Sequence, residues 1–372
     1  MPEKCGTIIE IMEKIAPSYL AQTWDNVGLQ IGSLDNSVNT IMVTLDITDS
    51  VIDEAITKKV DLIISHHPLI FKPVKNITTH NPIGKNIHRM IKHDISIYCS
   101  HTNLDSAHRG TNEVLAQVIG LEDIKPFIKT DKELYYKLVV FVPENHLEKV
   151  RDSICEAGAG HIGNYSCCTF NSKGTGTFKP LHGTTSYIGT IGELEKVSEY
   201  RLETIVSNEN LTTVINKMLA VHPYEEVAYD IIPLSNDYNE YGLARVGHLP
   251  SPMQLYLLCE ELKLKLGLEH IKVVGNINKE IYRIGVCAGS GAEFIDAAFK
   301  AGCDCFITGD VKYHDAQYAL QLGLAVIDAG HFETEQLLCD AVVEQLNTYV
   351  NNNAYDVNIL KSATYINPFQ YL

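Results

Sequence analysis

Apolar positions recur along this chain in short continuous runs, each followed by a stretch with helical spacing. The run Val60-Asp61-Leu62-Ile63-Ile64 has the character of a strand buried on both faces, as in a parallel sheet. Before it, Thr40–Asp46 reads as a strand and Asp49–Lys59 as a helix. After it come a helix near Ile83–Lys92, a strand over Ile95–Ser100 and a helix around Gly110–Ile119. An amphipathic helix over Gly6–Ile15 carries Ile8, Ile9, Ile11, Met12 and Ile15 on one stripe, and Pro17 closes it. Trp24–Gly32 makes a turn into a short strand. Strands alternating with helices predict an α/β fold built on a parallel sheet.

Between about Lys132 and Pro233 the rhythm changes. Strand Tyr135–Val142 and helix Glu144–Ala157 are followed by strands around Asn164–Asn171, Thr175–Phe178 and Ser186–Glu193. Strand Tyr200–Val206, helix Asn208–Ala220 and strand Val227–Pro233 complete the segment. Without its extra strands it reads as β-α-β-β-α-β, a ferredoxin-like split unit. The first rhythm then resumes, with a helix over Pro252–Leu264 and strands near Ile271–Val274 and Ile281–Ala288. Helix Ala292–Lys300, strand Asp304–Thr308, helix His314–Leu322, strand Ala325–Asp328 and a long helix beginning near His331 follow. The expected class is α/β: two related halves, over 1–131 and 236–372, forming one core. An inserted α+β domain over 132–235 interrupts it, and the polar tract Ser235–Tyr241 serves as a hinge. With Asp46 set on Gly289, the halves share Ile52/Ile295, Asp53/Asp296, Ala55/Ala298, Asp61/Asp304 and Ile64/Ile307. His66-His67 then falls on Gly309-Asp310, and with one length change His101–Asp105 falls on His331–Glu335.

Composition narrows the picture only modestly. A chain of 372 residues, 45% hydrophobic and 20% charged, is ordinary for two or three globular domains. Its formal net charge of −16 supplies no bulk field toward nucleic acid or anionic membrane. No apolar run approaches the ~18 residues that span a bilayer, and the opening residues lack a leader pattern. Ten cysteines without framework spacing read as reduced thiols, so the expectation is a cytoplasmic protein with neither membrane nor nucleic acid as partner.

The candidate chemistry lies at strand ends, where open α/β sheets bind ligands. His66-His67, His101–Asp105, Gly309–His314 and Asp328–Glu335 all fall there. Neighbouring side chains on a strand point to opposite faces, so His66 and His67 converge only where the strand stops, and Pro68 stops it. Two of the segments set a histidine four residues before a carboxylate, which shares one face if the segment is helical. Imidazole and carboxylate together suit Zn, Mn or Fe. His66, His67, Asp105, His331 and Glu335 are too many ligands for one open ion and too few to close two. The set fits two ions with free positions. Two divalent ions against two carboxylates leave about +2, which a hydroxide and an anionic small-molecule substrate would neutralise. Gly289-Ser290-Gly291 lacks the GxGxxG and Walker patterns and reads as a tight turn. His222–Glu226 reads as the entry to a strand, and Trp24-Asp25-Asn26 either lines the cleft or packs as an aromatic turn.

Trp24–Gly32, Ser65-His66-His67-Pro68, His101-Thr102-Asn103-Leu104-Asp105, Gly309-Asp310 with His314, and Gly330-His331 with Glu335 together resemble the Nif-three-like family. Its bacterial members carry the name GTP cyclohydrolase type 2 homologue. The resemblance covers nearly the whole chain. The middle segment, with His222-Pro223-Tyr224-Glu225-Glu226, resembles the PII-like insertion of the longer bacterial members. What the resemblance implies is two divalent metal ions per subunit, zinc first with manganese or iron as alternatives. His66, His67, Asp105, His331 and Glu335 would hold them, with Asp105 or Glu335 bridging, in a toroidal homohexamer whose sites face a central cavity. His101 would stand beside the ions as a catalytic proton-transfer group or as the partner of a ligand, with Asp310 and His314 of the same kind. The expected activity is hydrolysis through a metal-bound hydroxide, acting on GTP or another phosphorylated or cyclic-amide metabolite. The alternative is a metal-dependent binding or regulatory ring whose PII-like insertion senses a small molecule with little turnover.

Overall fold

The most apolar strands of the chain, Leu62–Ser65, Ser96–Cys99, Cys305–Gly309 and Ala325–Asp328, are buried at every residue. Such strands form the centres of parallel sheets covered on both faces. The computed structural model describes residues 2–128, 134–163, 165–236, 241–364 and 367–370. The chain divides into two compact units, Met1–Asp131 with Glu240–Leu372, and Lys132–Asn239. Most of the tract expected as a hinge, residues 237–240, lies outside the described residues, as does the boundary near 131.

The first unit carries two main sheets. One has the order Asn358–Lys361, Thr40–Thr44, Leu62–Ser65, Ser96–Cys99, Gly28–Ile31, parallel throughout except for the last strand. The other has the order Lys272–Val274, Ala325–Asp328, Cys305–Gly309, Glu280–Ser290, Arg245–Gln254, Glu122–Pro126. Its three parallel strands, over 280–290, 305–309 and 325–328, match those over 40–44, 62–65 and 96–99 in order and direction. In each sheet a short antiparallel strand edges the third.

Alternation along the strands divides the side chains between two faces. Ile41, Val43, Leu62 and Ile64 pack against helices Cys5–Ile15 and Leu337–Asn352, through Ile8, Met12, Leu338 and Val342. Met42, Ile63 and Ile97 face helices Asp49–Thr57 and Pro82–Lys92, through Val51, Ile52, Ala55 and Met90. Each such aliphatic chain contributes roughly 1.5–3 kcal/mol by leaving water. The helices start where their caps dictate: Thr48 accepts from the Val51 amide at 3.3 Å, and Asn81 from that of Gly84 at 2.7 Å just ahead of Pro82. In the second sheet, Arg245 is buried to 1% exposure, with its guanidinium donating to the carbonyls of Ser106 and Ala107 at 3.2 and 2.8 Å. That strand thereby fixes the loop beyond helix Thr102–Ser106.

The second unit is a four-stranded antiparallel sheet in the order Tyr229–Pro233, Tyr135–Pro143, Glu195–Ser207, Thr169–Phe178. Helices Leu147–Glu156 and Asn208–Val221 cover its apolar face, where Leu138, Val140, Val142 and Leu202 meet Val150, Ile154, Val214 and Met218. The sequential order 4-1-3-2 is that of a ferredoxin-like β-α-β-β-α-β unit. Two expected strands, at 164–171 and 175–178, run as one from Thr169 to Phe178, with Asn164 outside the described residues. Ser186–Glu193 is not a strand, because Gly189 and Gly192 take φ of +102° and +88° and turn the chain.

Two further expectations are corrected in the first unit. The helix expected from Pro252 begins at Leu255, since a strand irregularity between His248 and Met253 carries Pro252 past the ladder. The long helix expected from His331 is two helices, His331–Glu335 and Leu337–Asn352. No helix among the described residues is long and apolar enough to cross a membrane. All ten cysteines are free.

Candidate metal centre

The strand Leu62–Ser65 runs straight into His66 and His67. The amides of these two residues donate to the carbonyls of Thr44 and Leu45, at 3.0 and 2.9 Å. Successive amides in a regular strand point to opposite sides, so both turning to one neighbour marks the end of the alternation. The two imidazoles thereby come together, with ring centroids 5.0 Å apart.

Each of four histidines has its Nδ1 held by an oxygen. His66 meets the Ser100 carbonyl at 3.0 Å, and His67 meets Asp46 at 2.9 Å. His101 meets Asp25 at 2.9 Å, and His331 meets Asp310 at 2.7 Å. Such partners fix the tautomer and leave Nε2 as the free nitrogen. Asp25 is itself locked, accepting from the Thr102 amide at 3.0 Å and from the Thr102 hydroxyl at 2.5 Å.

The free nitrogens converge with two carboxylates. His66 Nε2 lies 3.5 Å from Asp105 Oδ1 and 3.7 Å from Glu335 Oε1. Glu335 Oε2 lies 3.2 Å from Nε2 of both His67 and His331, which are 3.4 Å from each other. His66, His67 and His101 form one group whose candidate ligand atoms lie within 4.8 Å of one another, and His67, His331 and Glu335 form a second. The five residues expected as ligands are thus brought together, with His101 among them at ligand distance. His314, in contrast, is exposed on helix Tyr313–Leu322 against the ring of Tyr313, outside both groups.

The arrangement fits a divalent cation. His66 Nε2, Asp105 Oδ1 and Glu335 Oε2 are buried with no hydrogen-bond partner among the described residues. Unpaired buried polar atoms cost about 1–3 kcal/mol each, and more when charged. Burial alone would push the Glu335 carboxyl up, but the imidazoles of His331, His66 and His67 hold it well below its usual range. Burial likewise pulls His67 down, yet Asp46 and Glu335 outweigh it and carry the ring up to about 10. His331 rises to about 9, chiefly through Glu335. The cluster therefore draws positive charge, and its N/O donor set suits zinc, manganese or iron.

Glycines make room for it. Gly289 has φ of +64°, and a methyl group there would run into the Glu335 carboxylate. The amides of Gly289 and Gly291 donate to Thr334 and Thr308, each at 2.9 Å, so this turn is spent on structure. A cavity of about 640 Å³ opens beside the cluster, lined by His67, His331, Glu335, Asp46 and Asp310 and walled by Phe332 and Phe369. Trp24 stands over His101 with centroids 6.1 Å apart and is 58% exposed.

The model of the Duf34/NIF3 (NGG1p interacting factor 3) family matches residues 3–368. The chain belongs to the Duf34/NIF3 family. Its relatives in this family include proteins named GTP cyclohydrolase 1 type 2 homolog. That of Bacillus subtilis is 44% identical over 365 residues, and that of Halalkalibacterium halodurans 42% over 366, each over 98% of both chains. A crystal structure of a Bacillus cereus protein related to NIF3 superposes with a TM-score of 0.92 at 41% identity, covering both chains fully. A Staphylococcus aureus structure gives 0.80 at 31% identity over 100% of this chain and 99% of its own.

Asp46 escapes a reading based on strand-end histidines because it carries no neighbouring histidine. A signal is nonetheless present: it lies two residues past strand Thr40–Thr44, as His67 lies two past Leu62–Ser65. Asp25 stands out in the sequence only as part of an aromatic turn, since its partner His101 lies far along the chain.

Proposed function

We propose that this Duf34/NIF3 protein is a dinuclear metal-dependent hydrolase acting on a small anionic substrate, with GTP and other phosphorylated or cyclic-amide metabolites as the class to test. The observation that carries this reading is the set of four imidazoles, each anchored through Nδ1, three of whose free nitrogens, those of His66, His67 and His331, meet the otherwise unpartnered oxygens of Asp105 and Glu335. Glu335 would help hold both ions in this reading, because its two oxygens reach toward His66 on one side and toward His67 and His331 on the other. Asp105 with His66 would complete one position, and His67 with His331 the other. Bound divalent ions supply Lewis acidity, polarising a substrate oxygen and lowering the pKa of water.

The protein's own groups do the rest. His101, backed by Asp25, holds or passes a proton at Nε2 beside the reacting centre. The cavity of about 640 Å³ is of a size that takes a single metabolite. The homohexameric ring implied by the resemblance belongs to the same proposal, and light scattering coupled to gel filtration tests it. The chemistry is tested by loading the purified protein with Zn, Mn or Fe and assaying GTP, phosphoesters and cyclic amides beside an Asp105→Ala variant. Metal-dependent turnover lost in the variant supports the proposal. Tight metal binding with no turnover of any class would instead favour a binding or regulatory role.

A further inference from the structure

The second unit holds a cavity of its own, about 530 Å³, built from that unit's residues alone. We propose that this cavity binds an organic ammonium ion, held between an aromatic cage and a buried carboxylate. The cage is Phe178, Tyr187 and Tyr224: the Tyr224 ring lies 5.8 Å from Phe178 and 6.2 Å from Tyr187, tilted to both. The faces of aromatic rings carry negative potential, and several grouped about one space attract alkylammonium groups.

The carboxylate is Glu199, only 7% exposed, on the strand Glu195–Ser207. Tyr224 donates its hydroxyl to Glu199 Oε1 at 2.8 Å, which couples the cage to the charge. Its Oε2 occupies the space that a methyl group at Gly176 would fill. A carboxylate withdrawn this far from bulk water attracts a cation placed beside it more strongly than an exposed one does. Glu225 and Glu226 add negative charge at the rim against the single ammonium of Lys179. Glu225 is also fixed in place, accepting from the Thr185 amide at 3.1 Å through both oxygens.

The motif His222-Pro223-Tyr224-Glu225-Glu226 thereby gains a role beyond entry into a strand. His222 Nε2 meets the Phe141 carbonyl at 3.0 Å, and its Nδ1 accepts from the Tyr224 amide at 3.1 Å. With both nitrogens engaged, His222 positions Tyr224 and does not bind the ligand. The apolar remainder of the lining, including Pro180 and Ile188, would receive the carbon skeleton of the amine.

The test uses the full-length protein with choline and with 3,3-dimethylbutan-1-ol, which has the same shape without the charge, followed by titration calorimetry and ligand-observed NMR. Choline is expected to bind at least about tenfold more tightly than the alcohol. Tyr187→Leu, at a half-exposed position, and Glu199→Gln should each abolish most of that preference, with unchanged melting temperature in the former as the folding control. Asp105→Asn in the first unit should leave choline binding unaltered. Equal binding of the two compounds, no binding of choline at tens of millimolar, or wild-type affinity in both cavity variants would overturn the proposal. Loss of binding in Asp105→Asn alone would overturn it too, by assigning the cation to the histidine cluster.

Discussion

Two one-turn helices carry the two carboxylates of the cluster, and they solve the same problem differently. Thr102–Ser106 follows the third parallel strand of the first sheet, and His331–Glu335 follows the corresponding strand of the second. In both, a histidine precedes an acid by four residues. In the second, both residues are helical, and His331 Nε2 lies 3.2 Å from Glu335 Oε2. In the first, His101 stands outside the helix, with φ −112° and ψ −104°, and turns its ring to Asp25. Asp105 is left to meet His66 from the neighbouring strand end. Equal spacing therefore gives one local pair and one pair assembled across strands. Glu335 is also the more deeply embedded acid, its side chain 5% exposed against 18% for Asp105.

The largest expected effect separates these two acids. Glu335→Ala should abolish binding of both ions, whereas Asp105→Ala should lower metal content from two ions per chain to one, read by elemental analysis after dialysis. Equal losses in the two variants would remove the distinction between them. Next, Gly289→Ala should act on the second turn alone. Its positive φ and the collision with Glu335 predict destabilisation of about 1–3 kcal/mol in denaturant, together with weakened metal binding. Unchanged stability and metal binding in Gly289→Ala would remove that role for the turn.

A smaller effect belongs to the acids behind the rings. Asp310→Asn keeps the shape of the partner but weakens its hold on His331 Nδ1, so metal affinity should fall by about 10–100-fold in a chelator competition. Asp25→Asn should change activity and its pH profile while leaving metal affinity intact, and an equal loss of affinity would instead make His101 a ligand. The smallest signal comes from Trp24, the one tryptophan in the chain. Because its ring rests on His101, metal addition should give a saturable change in fluorescence that persists in a variant of the second turn only if the first position still fills.

Much of this site is legible in the sequence because strand ends are marked locally. Pro68 after His66-His67 and Gly330 before His331 punctuate the chain where polar residues follow buried strands. The carboxylates that hold the rings are harder to read. Asp25 and Asp46 reach their histidines across 76 and 21 residues, and only the pairing of strands brings them close. Arg245 is unreadable for a related reason, since an arginine within a strand ordinarily faces water, and its buried carbonyl partners at Ser106 and Ala107 belong to the other sheet's half of the chain. The edge strands Glu122–Pro126 and Asn358–Lys361 lack the apolar pattern, being only partly covered.

The histidine cluster takes members from both sides of the ferredoxin-like segment, with His66, His67 and Asp105 before it and His331 and Glu335 after it. The cluster is complete only once the ribosome has passed Glu335. Any ion held by the complete cluster would then be captured late in biogenesis, and its presence would certify that two distant stretches of the chain have met.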